Sequence, residues 1–165
     1  MENMEIEKKY TLNALPDNLE RFPCRHIEQA YLNTSPVIRI RKSDDQYTLT
    51  YKGDGMMART EYNLPLDEAS YRHLLEKADG NVISKKRYVI PLEKPCFSSG
   101  FKPDREISLK IELDIFAPPF APLMMAEVEF PDMQTADAFI PPAWFGKDVT
   151  LDPKYHNSNM SKQMF

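Results

Sequence analysis

A chain of 165 residues and 19.2 kDa, 42% hydrophobic, is long enough for one domain with a substantial core, and a single domain over residues 1–165 is expected. A net charge of −4 offers no basic footprint for nucleic acid, and no apolar run is long enough for a membrane-spanning helix. The first residues are charged and lack an apolar signal region, so a soluble cytoplasmic protein is the default expectation.

The chain opens on an alternation, Glu5-Ile6-Glu7-Lys8-Lys9. In a strand, residues two apart share a face, which puts two carboxylates and an ammonium on one wall. Two carboxylates about 7 Å apart repel by about 0.6 kcal/mol in water but by about 2.4 kcal/mol at an effective dielectric near ~20. Such a wall asks for a cation, although a solvated strand would read the same way. Pro16 to Phe22 then reads as a short helical turn. His26 to Leu32 and Val37 to Lys42 read as strands joined by a turn at Asn33-Thr34-Ser35-Pro36. After a tight turn at Asp44-Asp45, Gln46 to Lys52 continues the hairpin series, and Arg59 to Leu64 resumes it beyond Gly53-Asp54-Gly55. A helix is predicted from Asp67 to Ala78, with Tyr71, Leu74, Leu75 and Ala78 as its apolar stripe and Gly80 after its end.

Val82 to Leu92 reads as a long strand, Pro95 to Asp104 as a loop, Ile107 to Phe116 as a strand and Met124 to Phe130 as the last clear strand. Asp132 to Phe139 reads as helix with Asp132 as N-cap, stopped by Pro141-Pro142, and the tail from Asp148 as loop or short helix. About eight strands and a few helices in this order predict an α+β fold with a mainly antiparallel sheet, and eight strands suffice to close a barrel. Cys24 and Cys96 lack metal-site spacing and read as free thiols, while His26, His73 and His156 are too scattered for a zinc site. Any metal should therefore be a hard, oxygen-liganded one such as Mg²⁺ or Mn²⁺.

The opening pattern recurs. Arg39 and Arg41 flank Ile40, Lys85 and Arg87 flank Lys86, Glu112 and Asp114 flank Leu113, and Glu127 and Glu129 flank Val128. Lys52 ends one strand, and Arg59 and Glu61 share a face on the next. The opposite parity is apolar. An open sheet with a solvated charged face fits each strand singly, but solvated faces avoid like charges side by side. Strands devoted to one sign suit a polyanion chelated with metal ions, with arginine forks on phosphate oxygens and carboxylates on the cation.

In these residues the chain resembles the CYTH superfamily, the triphosphate tunnel metalloenzymes. Glu5, Glu7 and Lys9 match its ExExK motif. Arg39-Ile40-Arg41, Lys52, Lys85 with Arg87, Glu112 with Asp114, and Glu127-Val128-Glu129 match its later signatures in order over nearly the whole chain. In length it is similar to the compact bacterial tripolyphosphatase type. Asn63 departs from the pattern, standing where some members carry a second glutamate after Glu61, and the Lys94 to Asp104 loop is longer than a hairpin needs.

The resemblance implies an eight-stranded antiparallel β-barrel open at both ends, with helices packed outside and charged side chains inside. It implies metal-dependent hydrolysis of a triphosphate, with inorganic tripolyphosphate first. Class IV adenylate cyclase, thiamine triphosphatase and a non-catalytic polyphosphate- or nucleotide-binding module are the alternatives. On this reading Lys9, Arg39, Arg41, Lys52 and Arg87 hold the triphosphate. Glu5, Glu7 and Glu129 hold one Mg²⁺ or Mn²⁺, and Glu112, Asp114 and Glu127 place a second metal or the attacking water. Glu129 is expected to be essential to turnover. Lys85 orients or deprotonates that water, or else clamps phosphate. Tyr31 reaches substrate or packs in the core, and Glu61 meets a metal or pairs with Arg59. Trp144 grips an aromatic substrate or packs at a helix end, and Lys154 closes the tunnel mouth or stays solvated. The expected partner is a small-molecule triphosphate, with no membrane or nucleic acid, and a homodimer is compatible with it.

Overall fold

A computed structural model describes residues 3–164. Eight strands form the barrel: β1 (Met4–Leu12), β2 (Cys24–Thr34), β3 (Val37–Ser43), β4 (Gln46–Lys52), β5 (Ala58–Leu66), β6 (Asp79–Leu92), β8 (Leu109–Phe116) and β9 (Met124–Glu129). Two-residue β7 (Cys96–Phe97) pairs only with β10 (Phe139–Ile140), and β11 (Phe145–Asp148) pairs with the end of β1. The sheet order is β11-β1-β5-β4-β3-β2-β6-β8-β9, and an additional β1–β9 pairing closes it. Every pairing in the barrel is antiparallel, so no sheet edge is left along the closed wall.

Alternation decides which way the wall faces. Ile111, Leu113, Ala126 and Val128 point outward with Tyr10 and Ile90, and are covered by Phe130, Ala136, Phe139 and Phe145. Helix α2 (Met133–Ala138) belongs to this cover and begins at Asp132, whose carboxylate accepts from the Thr135 amide at 2.7 Å. A second outer cluster sets Ala30 and Ile40 under Tyr71 of helix α1 (Glu68–Leu75), whose N-cap Asp67 accepts from the Ser70 amide. The apolar core thus lies mostly outside the barrel wall, which leaves the interior to polar groups.

One end of the interior is apolar. Tyr31, Val37, Ile83, Phe116 and Met125 meet Phe120, Val149 and Met160 there. Met160 comes from the short helix α3 (Asn157–Met160), which follows a 3-10 turn at Pro153–Tyr155. The expected pipe open at both ends is therefore packed with side chains at this end, because the tail folds back across it.

Several sequence expectations shift. The helix predicted to Ala78 ends at Leu75 with Glu76 as its C-cap, and Gly80 lies in β6 rather than behind the helix. Gly80 has φ +73, and a Cβ there would collide with the Ser161 carbonyl oxygen. That close pass lets the Asn81 amide donate to Ser161 at 2.7 Å and the Asn81 side chain donate to Gln163, which fastens the tail to β6. Gly80→Ala should cost about 1–3 kcal/mol, read as a lower urea midpoint. The predicted Pro95–Asp104 loop contains β7, and Phe139 leaves the helix for β10. Cys24 and Cys96 are free and exposed. No helix is long and apolar enough to cross a membrane among the described residues.

Candidate active site

The barrel encloses a cavity of about 180 Å³. Of the residues expected at the site, Glu5, Glu7, Lys9, Tyr31, Arg39, Arg41, Lys52, Glu61, Arg87, Glu112, Glu127 and Glu129 line it. Lys85 and Asp114 do not. They form an ion pair at 2.7 Å on the inner face, fully buried beside Arg87.

Antiparallel register brings these side chains together. Across the closing seam, Glu7 stands opposite Glu129 and Lys9 opposite Glu127. Lys52 faces Glu61, and Glu5 faces Arg59. On the facing wall Arg39 lies opposite Tyr31, and Arg41 opposite Gln29.

The five bases expected on substrate are not alike. Arg87 is bound bidentately by Asp114, at 2.7 and 2.8 Å, and also reaches Glu112 and Glu127. Lys9 pairs with Glu127 at 3.2 Å, and Lys52 with Glu5 at 2.7 Å and Glu61 at 3.1 Å. Arg39 and Arg41 make no ion pair among the described residues. Arg41 donates from Nε and Nη2 to the amide oxygen of Gln29, and Gln29 in turn donates to the Tyr31 hydroxyl at 3.0 Å. Arg39 donates to Thr50 at 3.1 Å, and its Nε is buried with no partner at all. Burial lowers the Arg41 pKa, aided by the charges of Arg39 and Arg87. A guanidinium keeps its proton even so, and the shift records uncompensated positive charge.

The acids show the complementary imbalance. Burial pushes the Glu5 carboxyl up to about 8, with Glu7 and Glu61 adding to it against Lys52. Glu129 is raised by burial and by the charges of Glu61, Glu7 and Glu112, and it makes no ion pair among the described residues. Glu127 goes the other way: burial opposes its ionisation, but Lys9 and Arg87 hold it well below the carboxylate range. Asp114 is likewise kept ionised against burial by Arg87 and Lys85.

Among the described residues no three acids converge closely enough to clasp a metal ion as they stand. Yet the donors are all carboxylate oxygens of one lumen: Glu7 and Glu61 push Glu5 up and, with Glu112, push Glu129 up, while Lys52 holds Glu61 low and Lys9, Lys52 and Arg59 hold Glu7 low against burial. That set fits a hard divalent cation, which would remove the repulsion.

Other expectations resolve on contact. Glu61 pairs with Lys52 rather than with Arg59. Tyr31 packs in the apolar end, as one of its two readings had it, and also lines the cavity. Trp144 meets Phe145 edge to face with ring centroids 4.7 Å apart, outside the lumen, which removes it as a clamp on an aromatic substrate. Lys154 is exposed and lies over the Tyr155 ring rather than across the cavity. Gln29, Thr50 and Asn63 were not expected at the site. The first two lie two residues before Tyr31 and Lys52 on the same strand face, so extending the parity finds them. Asn157 and Ser158 also line the cavity, and no sequence pattern pointed to them.

No protein-family model matches the chain. An inorganic triphosphatase of Nitrosomonas europaea is 37% identical over 161 residues, covering 95% of this chain and 96% of that protein. One from Acetivibrio thermocellus is 30% identical over 167 residues, covering 98% and 95%. A crystal structure of an inorganic triphosphatase superposes with a TM-score of 0.65 at 32% identity, covering 97% of this chain and 95% of that one. With a closed eight-stranded tunnel, inward charges of both signs and relatives matched along almost their full length, the chain belongs to the CYTH superfamily of triphosphate tunnel enzymes, and within it to the inorganic triphosphatases.

Proposed function

We propose that the protein hydrolyses inorganic tripolyphosphate to pyrophosphate and orthophosphate with the help of Mg²⁺ or Mn²⁺. The observation that carries this is the mismatch inside one cavity: two arginines held only by neutral groups, together with Glu129, which has no ion pair among the described residues, and Glu5, pushed up by burial and by its acidic neighbours. A pure anion receptor would not want the acids, and a pure cation site would not want Arg39 and Arg41. A polyphosphate bound with a metal satisfies both walls at once.

In this reading Arg39 and Arg41 take phosphate oxygens, and the Arg39 Nε acquires the partner it lacks. Lys9, Lys52 and Arg87 supply further positive charge once their carboxylates turn toward the cation. Glu5, Glu7 and Glu129 would hold the metal, with Glu112 and Glu127 beside it; Asp114 instead anchors Arg87. A cation held there would supply positive charge to offset the charge developing on the phosphate oxygens. The oxygen of a water molecule attacks the terminal phosphorus, the bond to the bridging oxygen breaks, and pyrophosphate leaves with that electron pair. Lys85 stands at the α3 end, where its Nζ donates to the Asn157 side chain at 3.3 Å. Burial brings its pKa down to about 8 against the pull of Asp114, and in this reading Nζ acts on that water through Asn157, which lines the cavity.

The test is to supply tripolyphosphate, ATP and thiamine triphosphate in turn, each with Mg²⁺ or Mn²⁺, and to identify every product. Pyrophosphate and orthophosphate from tripolyphosphate should dominate and vanish with a chelator. Cyclic AMP from ATP, or binding of tripolyphosphate without turnover, would overturn the assignment.

A further inference from the structure

A second chamber, of about 210 Å³, adjoins the lumen at the α3 end. It lies between the β2–β3 turn at Ser35-Pro36, the β4–β5 loop at Gly53 to Met56, and α3. Val37, Arg59 and Ser158 line both spaces, so the chamber begins where the lumen ends. Ser35, Asp54 and Asn159 on its other side are exposed, so it opens to water. The side chains that pack the barrel end thus leave a lateral opening beside them.

We propose that this chamber is the exit for orthophosphate, with Arg59 as the cation that draws the product out of the lumen. The proposal rests on the reading of tripolyphosphate hydrolysis with water held beside Lys85. If attack occurs near Lys85 and Asn157, the new orthophosphate forms at the α3 end, with pyrophosphate still gripped by Arg39 and Arg41 on its inner side. Outward lies the chamber. His156 also lines it, but its Nε2 is occupied by the Thr150 carbonyl oxygen at 2.8 Å. Arg59 is therefore the one fixed cation in the lining among the described residues.

Arg59 is also the most loosely held of the ion-paired bases in the lumen. Its pair with Glu5 spans 3.8 Å, the longest ion pair among the described residues. Glu5 pairs more closely with Lys52, and on the proposed reading it turns to the metal, which leaves Arg59 free for an anion. Asp54 at the outer rim repels phosphate. An anion is thus attracted at the inner side and not retained at the outer one, which suits passage better than storage. The same carboxylate discourages the more highly charged tripolyphosphate from entering by this route.

The experiment compares two signals in rapid mixing with tripolyphosphate and Mg²⁺: total orthophosphate after acid quench, and free orthophosphate caught by a fluorescent phosphate-binding reporter. Two variants are used, Arg59→Gln and Asp54→Trp, the second placing a bulky ring at the chamber's outer rim, away from the metal and the arginines. In Asp54→Trp the first turnover should stay fast in the quench signal, while free phosphate lags and steady-state turnover falls about tenfold. Arg59→Gln should show the same lag. Equal slowing of both signals in Asp54→Trp, or kinetics identical to the wild type, would overturn the exit. Absence of turnover in the wild-type protein would instead overturn the hydrolase reading, and the exit with it.

Discussion

Glu129→Gln should lower metal-dependent tripolyphosphate hydrolysis on the order of 100-fold while leaving the urea unfolding midpoint within about 0.5 kcal/mol of the wild type. Glu129 stands opposite Glu7 on the closing seam, is raised in pKa by burial and by its acidic neighbours, and has no ion-pair partner among the described residues. Its carboxylate contributes nothing to the apo fold that an amide would lose. What the amide cannot do is carry a full negative charge to a divalent cation. The Mg²⁺ activation curve should accordingly move about tenfold to higher concentration. An unchanged activation curve would remove Glu129 from the metal site, and a large loss of stability would make it a structural residue.

Arg87→Met is expected to behave in the opposite sense, costing about 3–5 kcal/mol of stability. Arg87 joins Asp114, Glu112 and Glu127, and its removal leaves two deeply buried carboxylates with only Lys85 and Lys9 to answer them. The sign with pH follows from the lowered carboxyl values. Asp114 and Glu127 titrate lower in the folded chain than in the unfolded one, despite burial. Their contribution is therefore complete above the unfolded pKa of about 4 and is lost as pH falls through the folded values. The gap between Arg87→Met and the wild type should narrow in acid, as followed by urea titrations at several pH values. A gap that stays constant into acid would show that Arg87 stabilises through packing alone.

These two residues show what could be read in the sequence and what could not. Both were visible from period-2 alternation, because a one-sided strand reveals its face without knowledge of its neighbour. The number of such strands was enough for a barrel, and the tunnel with its charges inside was what the family resemblance implied. Alternation is silent on partners, however. That Arg87 is spent on Asp114 while Arg41 meets only Gln29 depends on registers between β6 and β8 and between β2 and β3. The same blindness placed Asp114 and Lys85 in the lumen, since parity gives the side of a wall and not the depth behind a larger neighbour. Arg59 was read as a partner for Glu61, yet β1 draws it to Glu5. The tail elements, β11 and α3 above all, had no periodic signature, because each is held by contacts with β1 or β6 rather than by its own pattern.

The seam between β1 and β9 has a temporal consequence. Lys9 bonds Glu127 through its side chain and Thr150 through its backbone, partners 118 and 141 residues further along. As the chain leaves the ribosome, the β2–β5 hairpins can pair as they emerge and β1 can join β5, but the β1–β9 seam must wait for nearly the whole polypeptide. Such distant pairing predicts slow, late closure. The cavity is walled on every side only once that seam has formed.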